Sequence, residues 1–285
     1  ARAEVDRQVA VMREVQDERA QVEQARQELE AKLAGELLDE SQALGAEPPA
    51  PGDGAPRTLR RGSLVAAGLH VRASDGPNGD WFDLAARASG GFDVIVGDVS
   101  GRGLPAAAAM ASARTALLAL LHRGVGPADA LGATNRALCR TLPRGTFVSA
   151  ALARCDESGR VVVGSGGHEP AIVYRARERR AERVKLGGVV LGALERGSDL
   201  MTERAFDLAP GDALVLVTDG ATEACSPGGE PFDAERLLDV VTRHGHLGPE
   251  GLVGAIAGEV QGWAGDRPLA DDVVVVAVGR PPTDL

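Results

Sequence analysis

FDVIVGDVSGRGLP, residues 92–105, is an apolar β-type run that ends in a carboxylate, Asp98, and then turns through Gly101 and Gly103 into Pro105. ALVLVTDGATEA, residues 213–224, repeats the plan with Asp219. Asp271 and Asp272 stand at the mouth of VVVVAV, residues 273–278, and Asp80 follows Gly79 just before Trp81. One Asp before Gly at a strand end is ordinary turn chemistry, because Asp tolerates turn geometry and caps its own backbone. Several strand lips with the same arrangement point further. Buried strands position the acids, and glycine turns let backbone and ligand approach closely. Carboxylates gathered in this way repel one another unless cations neutralise them, so the pattern points to a pair of Mg²⁺ or Mn²⁺ ions.

Outward from these lips the chain divides into three parts. Residues 1–44 hold no proline and are rich in Glu, Gln, Arg and Ala, which predicts one long helix. Val5, Val9, Met12, Val15, Val22, Ala25, Leu29 and Leu33 form a narrow apolar stripe with densely charged flanks, the pattern of a coiled-coil seam that Glu18 interrupts. Residues 45–62 include EPPAPGDGAP and read as a linker. From residue 63 to 281, β-type runs come in hairpin-like succession. Helices are expected at Pro105–Leu121, about Pro127–Leu142, about Asp233–Arg243 and Pro249–Trp263. Strands in succession with helices in two pairs predict an α+β domain of mainly antiparallel sheets.

Composition narrows the function. With 285 residues, 44% of them apolar, the chain can bury one large domain plus an accessory segment. A formal net charge of −10, without a long Lys/Arg run, disfavours nucleic acid as a partner. Cys139, Cys155 and Cys225 lie far apart with no CxxC, so neither a disulfide framework nor a zinc site is indicated, and a reducing cytoplasm is the expected location. No apolar stretch is expected to span a membrane, and the charged, Met-less start suggests a piece of a longer protein.

Missing atoms exclude several phosphate chemistries. VSGRG lacks the Lys-Ser/Thr and the spacing of a Walker loop. An aspartyl-phosphate mechanism would need an acid where Val217 stands. Ser100 and Ser165 make no nucleophile elbow, and His168 in GSGGHEP is read as a turn residue before a ligand. A metal-activated water is the nucleophile that remains.

NGDWFD (78–83), GDVSGRGLPAA (97–107), TFVSAALARCDESGR (146–160), GGHEPAIVYR (166–175), LVTDGATEACSPGGEPF (216–232) and ADDVVVVAV (270–278) occur in this order. Together they resemble the PPM metal-dependent serine/threonine phosphatases, in the bacterial SpoIIE/RsbU-type branch. The resemblance implies an αββα sandwich of two mainly antiparallel sheets flanked by helices, preceded by the coiled-coil helix. It implies two Mn²⁺ or Mg²⁺ ions, with Asp98 bridging them, Asp80 and the Val99 carbonyl on the first, and Asp219 and Asp271 on the second. Asp98 and Asp219 are then the acids on which catalysis depends. Asp83 and Asp272 would orient ligands and waters, and Trp81 and Phe82 would pack beneath the metal loop. Arg102 stands where many relatives have His, and Val274 where they often have Thr. The implied activity is dephosphorylation of a protein, with a phosphorylated STAS-type anti-anti-sigma protein as partner, an upstream sensor domain and a homodimer. The alternative is a weakly active or inactive phosphatase-like module that relays partner binding through its coiled coil.

Overall fold

In VVVVAVG, Val273, Val275 and Ala277 face one side of a strand and Val274, Val276 and Val278 the other, and all six are buried. A strand that is apolar on both faces must be covered on both, which requires stacked layers. Each of the five buried valines stabilises the fold by about 1.5–3 kcal/mol relative to exposure.

The structure, a computed structural model, describes residues 56–73 and 79–281. The expected coiled-coil helix over 1–44 and most of the linker lie outside these residues. One sheet has six strands in the order β1 (Arg57–Arg61), β2 (Leu64–Val71), β11 (Val273–Gly279), β10 (Ala213–Val217), β7 (Ala171–Arg175) and β8 (Arg180–Val184). The second has five, in the order β3 (Trp81–Ala86), β4 (Phe92–Val99), β5 (Val148–Cys155), β6 (Arg160–Gly166) and β9 (Thr202–Asp207). Every strand pairing within the sheets is antiparallel.

Three apolar layers hold four structural ones together. Between the sheets lie Leu64, Ala66, Phe82, Val94, Val96, Leu216 and Val276. Helices α1 (Leu104–His122) and α2 (Pro127–Thr141) cover the second sheet through Leu117, Leu121, Leu131 and Leu138. After the four-residue helix α3 (Gly220–Glu223), helices α4 (Asp233–His244) and α5 (Gly248–Ala264) cover the first sheet through Leu237, Val241, Leu252 and Ile256. The order helix, sheet, sheet, helix is the α+β sandwich that the resemblance implies.

Three local readings differ from expectation. Arg57–Arg61, counted in the linker, forms β1 and pairs along its length with Leu64–Gly68. Helix α1 does reach the length and apolarity of a membrane span, with 19 residues at mean hydropathy 1.5, but half of that window is buried inside the molecule. Its small and leucine side chains pack against the second sheet, so here the apolarity serves the core. Third, Trp81 and Phe82 belong to a strand and face opposite ways. Trp81 joins the helix-side core and lies on Gly97, while Phe82 enters the inter-sheet core and lies on Gly68.

Candidate metal centre

Strand parity directs the acids. On β4, Phe92, Val94 and Val96 fill the space between the sheets, so Asp98 falls on the same face at the strand's end. Phe82 and Leu84 of β3 also face that space, which gives Asp80 the same parity just ahead of the strand. On β10, Leu214 and Leu216 are followed on that side by Thr218. Asp219 comes next, at the N-terminal boundary of α3. Asp271 lies in the segment that leads into β11. The acids therefore stand at one end of the inter-sheet space.

Two glycines draw these elements close. A Cβ on Gly79 would lie 2.7 Å from the Val99 carbonyl oxygen, and one on Gly220 would lie 2.0 Å from the Asp272 carbonyl oxygen. A side chain at either position would push the strands apart. With glycine, Asp80 is seated beside the Asp98–Val99 lip and Asp219 beside the Asp271–Asp272 lip.

Charge then accumulates. Burial raises the Asp80 carboxyl far above the usual carboxylate range. The Asp98 charge and a hydrogen bond to Asp98 push it further, Thr218 opposes the shift, and Asp271 adds to it. Asp98 is raised first by burial; the hydrogen bond from protonated Asp80 lowers it, and the charges of Asp219 and Asp271 raise it again. Asp219 is raised by burial and then by Asp271. The charge of Asp271 thus acts on Asp80, Asp98 and Asp219, and Asp98 is linked to both Asp80 and Asp219 as well. One oxygen of Asp80, Oδ2, is buried with no hydrogen-bond partner.

The surroundings fix the lips in place. Asp272 takes the His70 ring through Oδ2 at 2.7 Å and accepts the Ala73 N–H through Oδ1 at 2.7 Å, so it ties the end of β2 to the start of β11. The Val274 N–H donates to Thr218 Oγ1 at 3.1 Å, a backbone bond indifferent to the side chain at 274. Arg102 reaches across from the glycine turn to the Ala270 carbonyl and, at 3.5 Å, to Asp271. Asp83 does not serve the ligands as expected. Its parity is opposite to that of Asp80, and both of its oxygens accept from Arg114 of α1.

Sequence reading missed two further acids. Glu169, in the GGHEP turn, is raised by burial and then by the charges of Asp219 and Glu223. Glu223 of α3 is raised by burial and then by Asp219 and Asp271. Beside them His168 is held to the neutral form by burial, its pKa lowered to about 4, and its Nδ1 lies 2.8 Å from Ser149 Oγ. Ser149 is the cross-strand partner of Asp98.

A divalent cation fits this donor set in kind: oxygen ligands only, mutually opposed charges and an orphaned buried carboxylate oxygen. Among the described residues no group of three His, Cys, Asp or Glu side chains stands at metal-ligand spacing.

Comparison with known proteins follows the same lines. The family model described as Stage II sporulation protein E (SpoIIE) matches residues 88–281, a span that holds Asp98, Val99, Asp219 and Asp271 and begins after Asp80. The phosphoserine phosphatase RsbU of Bacillus subtilis is 27% identical over 167 residues, covering 57% of this chain and 48% of that protein. Protein IcfG of Synechocystis is 29% identical over 116 residues, covering 41% of this chain and 18% of that protein. The chain thus spans less than half the length of these curated relatives. Among solved structures, the RsbU and RsbW domains of a Mycobacterium tuberculosis protein superpose with a TM-score of 0.66 at 26% identity, covering 82% of this chain and 65% of that one. The PP2C phosphatase domain of Bacillus subtilis SpoIIE, with a fragment of its regulatory domain, gives a TM-score of 0.63 at 16% identity, covering 78% of this chain and 64% of that one.

Proposed function

This chain belongs to the SpoIIE family, with a PP2C-type domain, and on that premise we propose that its acidic cleft hydrolyses phosphoserine or phosphothreonine on a protein. The observation that carries the reading is the set of four carboxylates from four separate segments, in which burial and the charge of Asp271 oppose the ionisation of Asp80, Asp98 and Asp219 around an unpartnered buried oxygen of Asp80.

Asp80, Asp98, Asp219 and Asp271, with the Val99 carbonyl, would hold two Mn²⁺ or Mg²⁺ ions, Asp98 standing between the pairs. When bound, such ions neutralise phosphoryl oxygens and acidify water near neutral pH. The chain's own contribution is placement. Gly79 and Gly220 set the spacing of the acids, Asp272 and Thr218 lock the lips, and Glu169 with Glu223 adds negative charge on the Asp219 side.

The partner that fits the family reading is a phosphorylated STAS-type anti-anti-sigma protein, within sigma-factor regulation. An upstream sensor, a homodimer and a cytoplasmic location complete the proposal; three free cysteines are consistent with a reducing compartment. The test is phosphate release from phosphorylated STAS domains with and without Mn²⁺. Metal-dependent release supports the proposal. If wild-type protein releases none at saturating Mn²⁺, the second reading stands, a phosphatase-like relay module.

A further inference from the structure

Beside the acidic cleft runs a groove of about 460 Å³, lined by Leu142, Pro143, Arg144, Phe147, Ala193 and Leu194 among others. It lies between the C-terminal end of α2 and the 192–195 segment. Two of its apolar side chains are unusually open to solvent: Phe147 is 40% exposed and Leu194 53%. Large apolar side chains left together on a surface mark sites of contact with another molecule.

The groove is continuous with the lip that carries Asp98. Ser100, two residues beyond Asp98, donates its N–H to the Phe147 carbonyl at 3.0 Å, and the Phe147 N–H donates back to Ser100 Oγ at 3.0 Å. Phe147 is thereby fixed one step from the Val148–Val99 pair that ends the β4–β5 ladder. A chain lying in the groove is led to the cleft.

Charge selects the occupant. The cleft is acidic, and repels a phosphorylated segment until cations are bound. On the groove, Arg140 is paired with Glu195 at 3.2 Å, whereas exposed Arg144 makes no ion pair among the described residues. An open cation next to an aromatic ring and two leucines fits an extended segment with both apolar and acidic side chains.

We propose that this groove docks the segment of the substrate protein flanking its phosphorylated residue, and that it prefers apolar and acidic flanks. The proposal rests on the phosphatase reading above and adds where the substrate's chain is gripped.

The test uses the full chain and two fluorescein-labelled phosphoserine peptides, one flanked by Leu and Glu, the other by Lys. Binding is read by anisotropy with the unphosphorylated serine forms of both peptides, which are neither turned over nor repelled by the metal-free acids, and p-nitrophenyl phosphate hydrolysis is read separately in Mn²⁺. The Leu/Glu peptide is expected to bind more tightly than the Lys peptide. Phe147→Ala and Arg144→Glu are each expected to weaken the Leu/Glu peptide about tenfold, as truncation of an anchor does. Turnover of p-nitrophenyl phosphate, too small to reach the groove, should stay within about twofold of wild type. Arg144→Glu alters only an exposed side chain, so it tests the groove even if Phe147→Ala folds poorly. Unchanged peptide affinity in Arg144→Glu, or equal binding of the two peptides, overturns the proposal. So does a parallel loss of p-nitrophenyl phosphate turnover in Arg144→Glu, or a halved solution mass with peptide affinity unchanged, which would make the groove a contact between two copies. A wild-type protein that binds the Leu/Glu peptide yet never turns over either substrate sinks the phosphatase reading and leaves the groove standing.

Discussion

Arg114 of helix α1 grips both carboxylate oxygens of Asp83 in β3, through Nε at 2.7 Å and Nη2 at 2.6 Å, with both side chains almost wholly buried. Asp83 lies three residues after Asp80, and α1 begins six residues after Asp98. The pair therefore joins the two arms that carry the first two acids. Burial raises the Asp83 carboxyl, and the hydrogen bonds and charge of Arg114 work against that rise. Arg114→Met should cost about 3–5 kcal/mol, because it leaves a buried carboxylate uncompensated. Replacing both partners by leucine should recover most of that loss. Urea unfolding of the single and double variants measures both, and a single variant as stable as wild type would contradict the arrangement.

The acids predict a direct loss of function. Asp98→Asn and Asp219→Asn each remove a charged oxygen from the proposed cation site. Mn²⁺-dependent phosphate release should fall to background in both, with the fold retained by circular dichroism. Near-wild-type rates in either variant at saturating Mn²⁺ would remove that acid from the site.

Metal-free protein should also lose stability as pH rises. Asp80, Asp98 and Asp219 all have carboxyl groups raised in the fold, so the native state holds protons that the unfolded chain releases near pH 4. Their contribution is complete below about pH 4 and is lost as pH climbs through the raised native values. In EDTA, Asp80→Asn should therefore melt higher than wild type at about pH 8, and the two should converge toward about pH 4. A wild-type Tm advantage at pH 8 would reverse the assigned sign.

Gly97 carries the indole of Trp81 on its face. A Cβ there would lie 2.1 Å from ring atom Cη2, so Gly97→Ala must displace the ring or the strand. A cost of about 1–3 kcal/mol is expected, the usual scale for overpacking a filled core. Thermal or urea melts measure it, and a neutral substitution would mean that the ring is free to move.

The apolar stripe from Val5 to Leu33 predicts that the chain is a dimer joined through its N-terminal segment. Removal of residues 1–44 should halve the mass seen by light scattering while sparing p-nitrophenyl phosphate turnover. An intact chain that is already monomeric at micromolar concentration would rule this out.

The strands that carry acids were legible because an apolar run followed by Asp and Gly is a local pattern. Asp98 and Asp219 stand out in that way, Asp80 and Asp271 by standing just ahead of such runs, and the structure brings all four to one end of the inter-sheet space. Elements whose logic is not local were not. Asp83 interrupts the apolar alternation of β3 and makes sense only with Arg114, 31 residues away in sequence. Glu169 sits in a turn and Glu223 at the end of the short helix α3, and both meet the site only through tertiary packing. Arg57–Arg61 has no apolar alternation to read, since three of its five residues are arginine and only one flank is paired.

That short basic strand has a consequence for anyone who shortens the chain. It caps the outermost row of backbone donors and acceptors on Leu64–Gly68, five residues that are all buried or nearly so. A version begun at Ser63 would leave this apolar row unsatisfied and flat against solvent. Open rows of that kind pair with the same row on a neighbouring molecule and seed aggregates. Solubility of the catalytic domain therefore depends on five residues that look, in sequence, like the tail of a spacer.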